Sequence, residues 1–212
     1  HGGSNVGGAG SLYYGGNIAV QQDVVVVTIN YRLGLLGWFS HPSLRAAAES
    51  SLDKSSNFGL LDIIQALKWV RENIAAFGGD AGNITLFGES AGAMNTVALL
   101  YSPLSKGLFH KAIMQSGSLR QTPVEVAEQF TADDRSEFSS SETAAKILVQ
   151  REQAETRELA REKIAALSEQ EFLKLMYSTS DTELVDTYTL DIGAAIRAPQ
   201  IIPDDIVIPK GS

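Results

Sequence analysis

The stretch LFGESAGAMN, residues 86–95, places Ser90 between Gly88 and Gly92 directly after an apolar run. It matches the pattern G-x-S-x-G, and its surroundings predict a strand before the serine and a helix after it. In such a turn the glycines let strand and helix approach closely, and the serine is held out at the carboxyl edge of a sheet. A serine hydroxyl becomes a good nucleophile when a histidine removes its proton and a carboxylate orients that histidine. Ser90 is therefore the candidate nucleophile.

The segments around this stretch alternate between predicted strands and predicted helices. A stripe of Leu and Ile at three- and four-residue spacing predicts an amphipathic helix from residue 60 to 77, with Asn57 as its cap and Gly78-Gly79 as its end. The remaining predicted elements are strands at 24–31, 83–87 and 110–117 and a helix at 91–101. The first of these strands is apolar at successive positions, which favours burial on both faces. This alternation predicts an α/β fold, a mostly parallel sheet flanked by helices.

The character of the chain changes near residue 118. Only four charged residues occur in 1–52, whereas charged helical patterns dominate from about residue 142. One of these helices opens with a predicted capping box of Ser168 and Glu171. The Pro-rich stretch at 198–212 predicts an extended tail. We expect residues 1–118 to form the sheet core, with the helices and tail of 119–212 as an excursion of the same domain.

The opening residues HGGSNVGG, 1–8, form a second element with chemical meaning. An ester carbonyl attacked by a serine becomes a tetrahedral oxyanion that needs preorganised N–H donors. Successive small residues let backbone amides turn toward one point without side chains intervening. A loop of this kind upstream of a G-x-S-x-G serine predicts an oxyanion hole.

Together these stretches resemble the type-B carboxylesterases, the carboxylesterase/cholinesterase family. The serine signature of that family is present as FGGDAGNITLFGESAG, residues 77–92. The resemblance continues through the sequences at 24–40, 57–80 and 102–118, covers residues 1–118 densely and is looser over 119–212. It implies an α/β-hydrolase fold, incomplete at both ends in this chain, and hydrolysis of carboxylic esters through an acyl-enzyme.

The resemblance also implies roles for individual residues. Ser90 corresponds to the acyl-accepting nucleophile, and the oxyanion hole corresponds to the N–H groups of Gly3, Ser4 and Ala91. Ser4 replaces a third glycine that most members carry, which the backbone role of that residue tolerates. The supporting positions are Gly88 and Gly92 beside the nucleophile, Glu89 for electrostatics, and Ser116 as a serine behind the site.

The three histidines do not supply the general base. In the α/β-hydrolase order the nucleophile is followed by an acid and then a histidine. His1 and His41 precede Ser90, and His110 follows it without an intervening acid, at the start of a predicted strand. We expect His1 to brace the oxyanion loop and His41 to lie in a loop. We also expect the chain to be a fragment, with the triad acid and histidine in a missing C-terminal part.

Composition excludes several other classes of function. A formal net charge of −8 disfavours nucleic acid and anionic membrane surfaces as partners. The chain has no cysteine, no H-x-x-x-H pair and no apolar run long enough to span a bilayer. The glycine loop lacks the context of a dinucleotide or P-loop site. We expect a small-molecule ester as substrate and no metal or organic cofactor, while compartment and oligomeric state stay open.

Two alternatives remain at this point. The first is a non-catalytic, cholinesterase-like binding or adhesion module, which the presence of Ser90 disfavours because such relatives typically lose the nucleophile. The second is an amide or carbamate hydrolase, which would use the same residues.

Overall fold

The computed structural model of the protein describes residues 1–130, 138–188 and 200–212. The described helices of the first part, in chain order, are α1 (Gly16–Gln22), α2 (Gly34–Gly37), α3 (Pro42–Ala47), α4 (Phe58–Asn73) and α5 (Ala91–Tyr101). They are followed by α6 (Val124–Glu128), α7 (Ser140–Gln150), α8 (Arg157–Ala165), α9 (Glu169–Tyr177) and α10 (Asp181–Asp186).

The sheet, within the described part of the chain, consists of two parallel strands. These are β1 (Thr85–Glu89) and β2 (Lys111–Gln115), with Thr85 opposite Lys111 and Glu89 opposite Gln115. Parallel neighbours require a crossover connection, and α5 supplies it and packs on both strands. The strands predicted at 83–87 and 110–117 are thus confirmed, with their bounds shifted by one or two residues. The helix predicted at 91–101 has the bounds of α5.

Helix α4 forms where the apolar stripe predicts it, and its Leu60, Ile63 and Leu67 are buried. A 3-10 turn, Ile74–Phe77, continues the helix to Gly78, which ends it at a φ of 82°. Asn57 holds the N-cap position of α4, as predicted, but the prediction that its side chain caps the helix is wrong. The Asn57 side chain makes no capping bond and instead donates to Ile202 O and accepts from Ile202 N. The last residue of the predicted stripe, Phe77, is exposed.

The predicted buried strand at 24–31 is not formed. These residues pair with no strand among the described residues, and Val24, Val25 and Val27 are between 40% and 46% exposed. A run of β-branched residues favours an extended chain, but a strand exists only where another strand supplies its hydrogen bonds. Burial was predicted for the whole run, and it is found at the last residue, Tyr31, which belongs to the core.

The main core joins the first part of the chain to its tail. Residues 200–212 contain bends and a turn but neither helix nor strand, and 198 and 199 lie outside the described residues. The buried members of this core include Tyr31, Trp38, Leu60, Leu99, Ile201, Val207 and Ile208. A second cluster packs α7, α8 and α9 together around Ala144, Ala160 and Phe172. Helix α9 begins with the predicted capping box of Ser168 and Glu171.

None of the helices in the described part of the protein is long and apolar enough to cross a bilayer.

Candidate active site

Ser90 occupies the tight turn between β1 and α5 in a backbone conformation that few residues adopt. Its φ of 53° and ψ of −117° lie outside the regions that non-glycine residues ordinarily occupy. The turn is held on both sides, since Ser90 N donates to Gln115 O at 2.8 Å and Met94 N donates to Ser90 O at 3.0 Å. The chain therefore has the strand, turn and helix that the G-x-S-x-G pattern predicts.

The two glycines flanking the turn are required by close backbone contacts. A Cβ on Gly88 would overlap the carbonyl group of Gly92 and lie 2.9 Å from Ala93 N. A Cβ on Gly92 would lie 2.8 Å from His1 O, which belongs to the glycine-rich loop. Gly88 thus lets β1 approach α5, and Gly92 lets the loop approach α5.

The glycine-rich loop folds against the turn in a succession of left-handed residues. Gly3, Ser4 and Asn5 have φ values of 73°, 53° and 58°. Both Val6 N and Gly7 N donate to Gly3 O, which closes a single 3-10 turn. Gly2 lies against the turn at Ser90, since a Cβ on Gly2 would be 3.3 Å from Ser90 Cβ and 3.0 Å from Glu89 O. The structure thus brings the residue before Gly3 and Ser4 into contact with Ser90.

The remaining candidate residues also surround the turn. Ala91 is buried and is the first residue of α5, where helical N–H groups have no partner within the helix. The Glu89 carboxylate lies beside Gly2, with Oε2 3.0 Å from the position of a Cβ there. Ser116 is exposed and has a φ of 57°; the next residue, Gly117, lies against Ser90. Every candidate residue therefore belongs to one small region.

A buried polar network behind the loop escaped the sequence analysis. Asn5 and Asn95 exchange two hydrogen bonds, of 3.1 and 2.8 Å, and Asn5 Nδ2 also donates to Gln200 Oε1 at 3.3 Å. Gln200 Nε2 donates to Ser4 O at 2.6 Å, and the Tyr31 hydroxyl donates to His1 O at 2.5 Å. A signal was available for Asn95, because it is the only amide side chain in α5, where the other residues are apolar apart from Thr96 and Tyr101.

The three histidines serve other contacts. The His1 ring stacks on Tyr31 at 4.3 Å, consistent with the expected bracing of the loop. His110 Nδ1 accepts from Ile84 N at 3.1 Å, at the start of β2. His41 is not a plain loop residue: it caps α3, with Nδ1 accepting from Ser43 N at 3.2 Å. Among the described residues, no imidazole is hydrogen-bonded to the Ser90 hydroxyl.

Burial sets the protonation behaviour of two aromatic groups near these contacts. Burial raises the pKa of the Tyr31 hydroxyl well above its ordinary value, so it is a donor throughout the physiological range. Burial against Phe172 lowers the pKa of His41 to about 4, with the nearby Glu128 carboxylate opposing the shift. Within the described residues, no group of three or more His, Asp or Glu side chains could hold a metal ion.

A serine in a tight turn after a parallel strand, followed by a crossover helix, is the arrangement of the α/β-hydrolases. Solved α/β-hydrolases have the same fold: a PNB esterase superposes over 99% of the chain with a TM-score of 0.72 and 37% identity. The carboxylesterase of Geobacillus stearothermophilus gives a TM-score of 0.69 at 34% identity over 98% of the chain.

The chain belongs to the carboxylesterase family, whose family model matches residues 1–204. It is 53% identical to the para-nitrobenzyl esterase of Bacillus subtilis (strain 168) over 134 residues. This aligned stretch covers 62% of this chain and 26% of that protein. It is 43% identical over 164 residues to the medium-chain fatty acyl-CoA hydrolase precursor of Anas platyrhynchos, over 75% of this chain and 28% of that protein.

The chain spans about a quarter of the length of the curated relatives it matches, 24% to 28% of the first three. It spans 39% of the PNB esterase structure and 38% of the Geobacillus structure.

Proposed function

We propose that the protein hydrolyses carboxylic esters with Ser90 as its nucleophile. The observation that carries this proposal is the contact of the glycine-rich loop with the strained turn at Ser90. Family membership supports the same chemistry, because several relatives are named for it: a para-nitrobenzyl esterase, a fumonisin B1 esterase and a cocaine esterase.

In the proposed mechanism, Ser90 Oγ attacks the ester carbonyl carbon while a histidine accepts the hydroxyl proton. The resulting oxyanion is held by the N–H groups of Gly3, Ser4 and Ala91. Collapse of the tetrahedral intermediate breaks the bond to the alcohol, which leaves with the proton from the histidine. Water then attacks the acyl-enzyme in the same way, which releases the acid and restores Ser90.

The oxyanion donors supply much of the catalysis in this proposal. Loss of a single donor in such a site costs about 2.7–4 kcal/mol of transition-state stabilisation. The Ala91 N–H lies at the start of the eleven-residue helix α5, whose dipole favours negative charge there. Glu89 acts in this scheme through its charge beside Gly2, and Ser116 and Gly117 support the turn from the end of β2.

The general base and its acid are proposed to lie in parts of the full-length protein outside these 212 residues. None of the described histidines is placed to serve Ser90, and the relatives are several times longer than this chain. Residues 1–212 by themselves are then expected to carry a nucleophile and an oxyanion hole without a base.

The test is covalent labelling of the full-length protein with a fluorophosphonate, followed by peptide mapping. The proposal expects one adduct, on the peptide containing Ser90, and loss of both the adduct and p-nitrophenyl acetate hydrolysis in Ser90→Ala. Ser11→Ala, an exposed serine of the same chain, serves as the matched control and should label normally. The absence of any adduct in the wild-type protein would favour a non-catalytic binding module and reject the proposal.

A panel of matched esters, amides and carbamates then separates the members of the hydrolase class. The ester proposal expects the largest kcat/KM for the ester of each set. A larger kcat/KM for the amide or carbamate would assign the protein to that chemistry with the same nucleophile.

A further inference from the structure

The side-chain amide of Asn5 is completely buried and fully occupied by hydrogen bonds. Its Nδ2 donates to Asn95 Oδ1 and to Gln200 Oε1, and its Oδ1 accepts from Asn95 Nδ2. The Tyr31 hydroxyl lies 3.3 Å from the same Oδ1. Because leaving a buried amide unpaired is unfavourable, this pairing strongly favours one position of Asn5.

Asn5 is also the third of three successive residues with positive φ, after Gly3 and Ser4. For residues other than glycine such conformations are unfavourable, and they persist where surrounding contacts enforce them. The loop itself makes few backbone hydrogen bonds, those from Val6 and Gly7 to Gly3 O. The side-chain contacts of Asn5 therefore provide much of what holds the loop in this conformation.

The two amide partners of Asn5 are held in place by other contacts, Asn95 by its position on α5 and Gln200 by its backbone hydrogen bonds to Thr122. Asn95 is buried on α5, the helix that begins with Ala91. Gln200 is buried, and its backbone is anchored by Thr122, whose hydroxyl accepts from Gln200 N at 3.0 Å and whose N–H donates to Gln200 O at 3.1 Å. From this position Gln200 Nε2 reaches Ser4 O.

We propose that Asn95 and Gln200 are positioning residues, which hold the oxyanion loop at a fixed distance from the start of α5. The proposal rests on the proposed function, in which the oxyanion donors come from two separate places, Gly3 and Ser4 in the loop and Ala91 on α5. The amide pair of Asn5 and Asn95 joins these two places directly. Gln200, which accepts from Asn5 in the same network, holds the carbonyl group of Ser4.

The consequence is specific to the transition state. Oxyanion donors act on the charged tetrahedral species much more than on the bound ester, so a loosened loop lowers kcat and leaves KM almost unchanged. Displacement of donors is less severe than their removal, and we expect a loss of about 10- to 100-fold in kcat.

The experiment uses the full-length protein and two variants, Gln200→Met and Asn95→Ala. Gln200→Met nearly preserves side-chain size and leaves the backbone bonds to Thr122, but it cannot donate to Ser4 O. Both variants are expected to lose about 10- to 100-fold in kcat and the same factor in affinity for a trifluoromethyl ketone, which forms a tetrahedral oxyanion with the serine. KM should change by no more than a few-fold.

Ser105→Ala is the matched control for stability. Ser105 is a buried serine that bonds to the carbonyl groups of Leu99 and Ser102, away from the loop, and its loss should lower Tm without lowering kcat. Gln200→Met with wild-type kcat and wild-type affinity for the ketone would overturn the proposal, whatever the fate of Asn95→Ala. Loss of catalysis only in proportion to loss of folded protein would overturn it too.

Failure of the proposed function has a different signature. A wild-type protein that neither forms a Ser90 adduct nor hydrolyses esters rejects the function, and with it the positioning roles. A wild-type protein that does both, beside variants that behave like wild type, rejects only the positioning roles.

Discussion

At the scale of single residues, unfavourable backbone conformations are concentrated at the candidate site. Eight non-glycine residues in the described part of the chain have positive φ, and four of them are Ser4, Asn5, Ser90 and Ser116. Each such conformation costs about 1–3 kcal/mol and is retained where surrounding contacts over-determine it. This clustering supports a site at which geometry has been favoured over local stability.

Gly88, two residues before Ser90, gives a direct test of this geometry. Gly88→Ala should destabilise the protein by more than about 2 kcal/mol, because the new Cβ meets backbone atoms of Gly92 and Ala93 that cannot move aside easily. Urea unfolding of the full-length protein measures the change. Gly7→Ala is the control, since a Cβ there meets nothing within 4 Å, and equal stability losses for the two variants would contradict the close-packing account.

At the scale of elements, the start of α4 and the tail at 200–212 are tied together by one carboxylate. Asp204 Oδ2 accepts from Ser55 Oγ at 2.6 Å and Asn57 Nδ2 at 2.8 Å, while its Oδ1 accepts from the backbone N–H groups of residues 206–208. Burial alone would raise the pKa of Asp204, but these hydrogen bonds outweigh burial and keep its pKa below the ordinary value. This carboxylate therefore fixes the tail, which carries Gln200, against the start of α4.

Replacement of this carboxylate should loosen the tail. Asp204→Asn places an NH₂ group among N–H donors and should cost about 3 kcal/mol of unfolding free energy, typical for lost hydrogen bonds to a charged group. The measurement is the midpoint of urea unfolding. Asp205→Asn is the matched control, because the neighbouring Asp205 pairs with Lys210 on the surface and should matter little. A larger effect at Asp205 than at Asp204 would refute this role.

Helix α3 carries a pH-dependent cap. His41 accepts from Ser43 N only while Nδ1 is unprotonated, and burial lowers its pKa from 6.5 to about 4. Between these values the unfolded chain binds more protons than the folded one, so the contribution of His41 to stability is complete above 6.5 and is lost as pH falls toward 4.

We therefore expect unfolding free energy to fall as pH drops from 6.5 to 4, and to fall less in His41→Asn. Asparagine keeps an acceptor for the cap but does not titrate in this range. Urea unfolding at a series of pH values measures the two slopes. Identical slopes for wild type and His41→Asn would show that His41 does not contribute.

At the scale of the whole molecule, one face of the two-stranded sheet is open. Helix α5 packs against the sheet, while Phe87 and Ile113, which are opposite each other in the register, are 50% and 52% exposed. Parallel sheets are ordinarily covered on both faces. The division into a core of 1–118 and an excursion of 119–212 stays a prediction, although tail residues such as Ile201 and Val207 share the main core.

Residues 1–212 produced alone should consequently be marginally stable and nearly inactive. Exposed apolar strand faces predict binding of a hydrophobic dye and self-association. The proposal that the general base lies outside these residues predicts p-nitrophenyl acetate hydrolysis close to that of Ser90→Ala. The full-length protein is the reference for both measurements. Rapid hydrolysis by residues 1–212 that disappears in Ser90→Ala would contradict the expectation.

The local elements around Ser90 could be predicted from the sequence alone. The turn at Ser90, the strand before it and the helix after it follow from neighbouring residues alone, because glycine spacing and apolar periodicity act within a few residues of each other. The capping box of Ser168 and the end at Gly78 of the 3-10 turn that follows α4 are determined in the same local way.

Contacts between distant residues were decided by the tertiary structure. The run at 24–31 has the composition of a strand, yet pairing depends on a neighbour that no local pattern specifies. Asn57 has the residue type of a cap, but the tail at Ile202 competes for its amide and takes it. The network of Asn5, Asn95 and Gln200 joins positions up to 195 residues apart, and hydrogen bonds over such separations exist only once packing has brought the groups together.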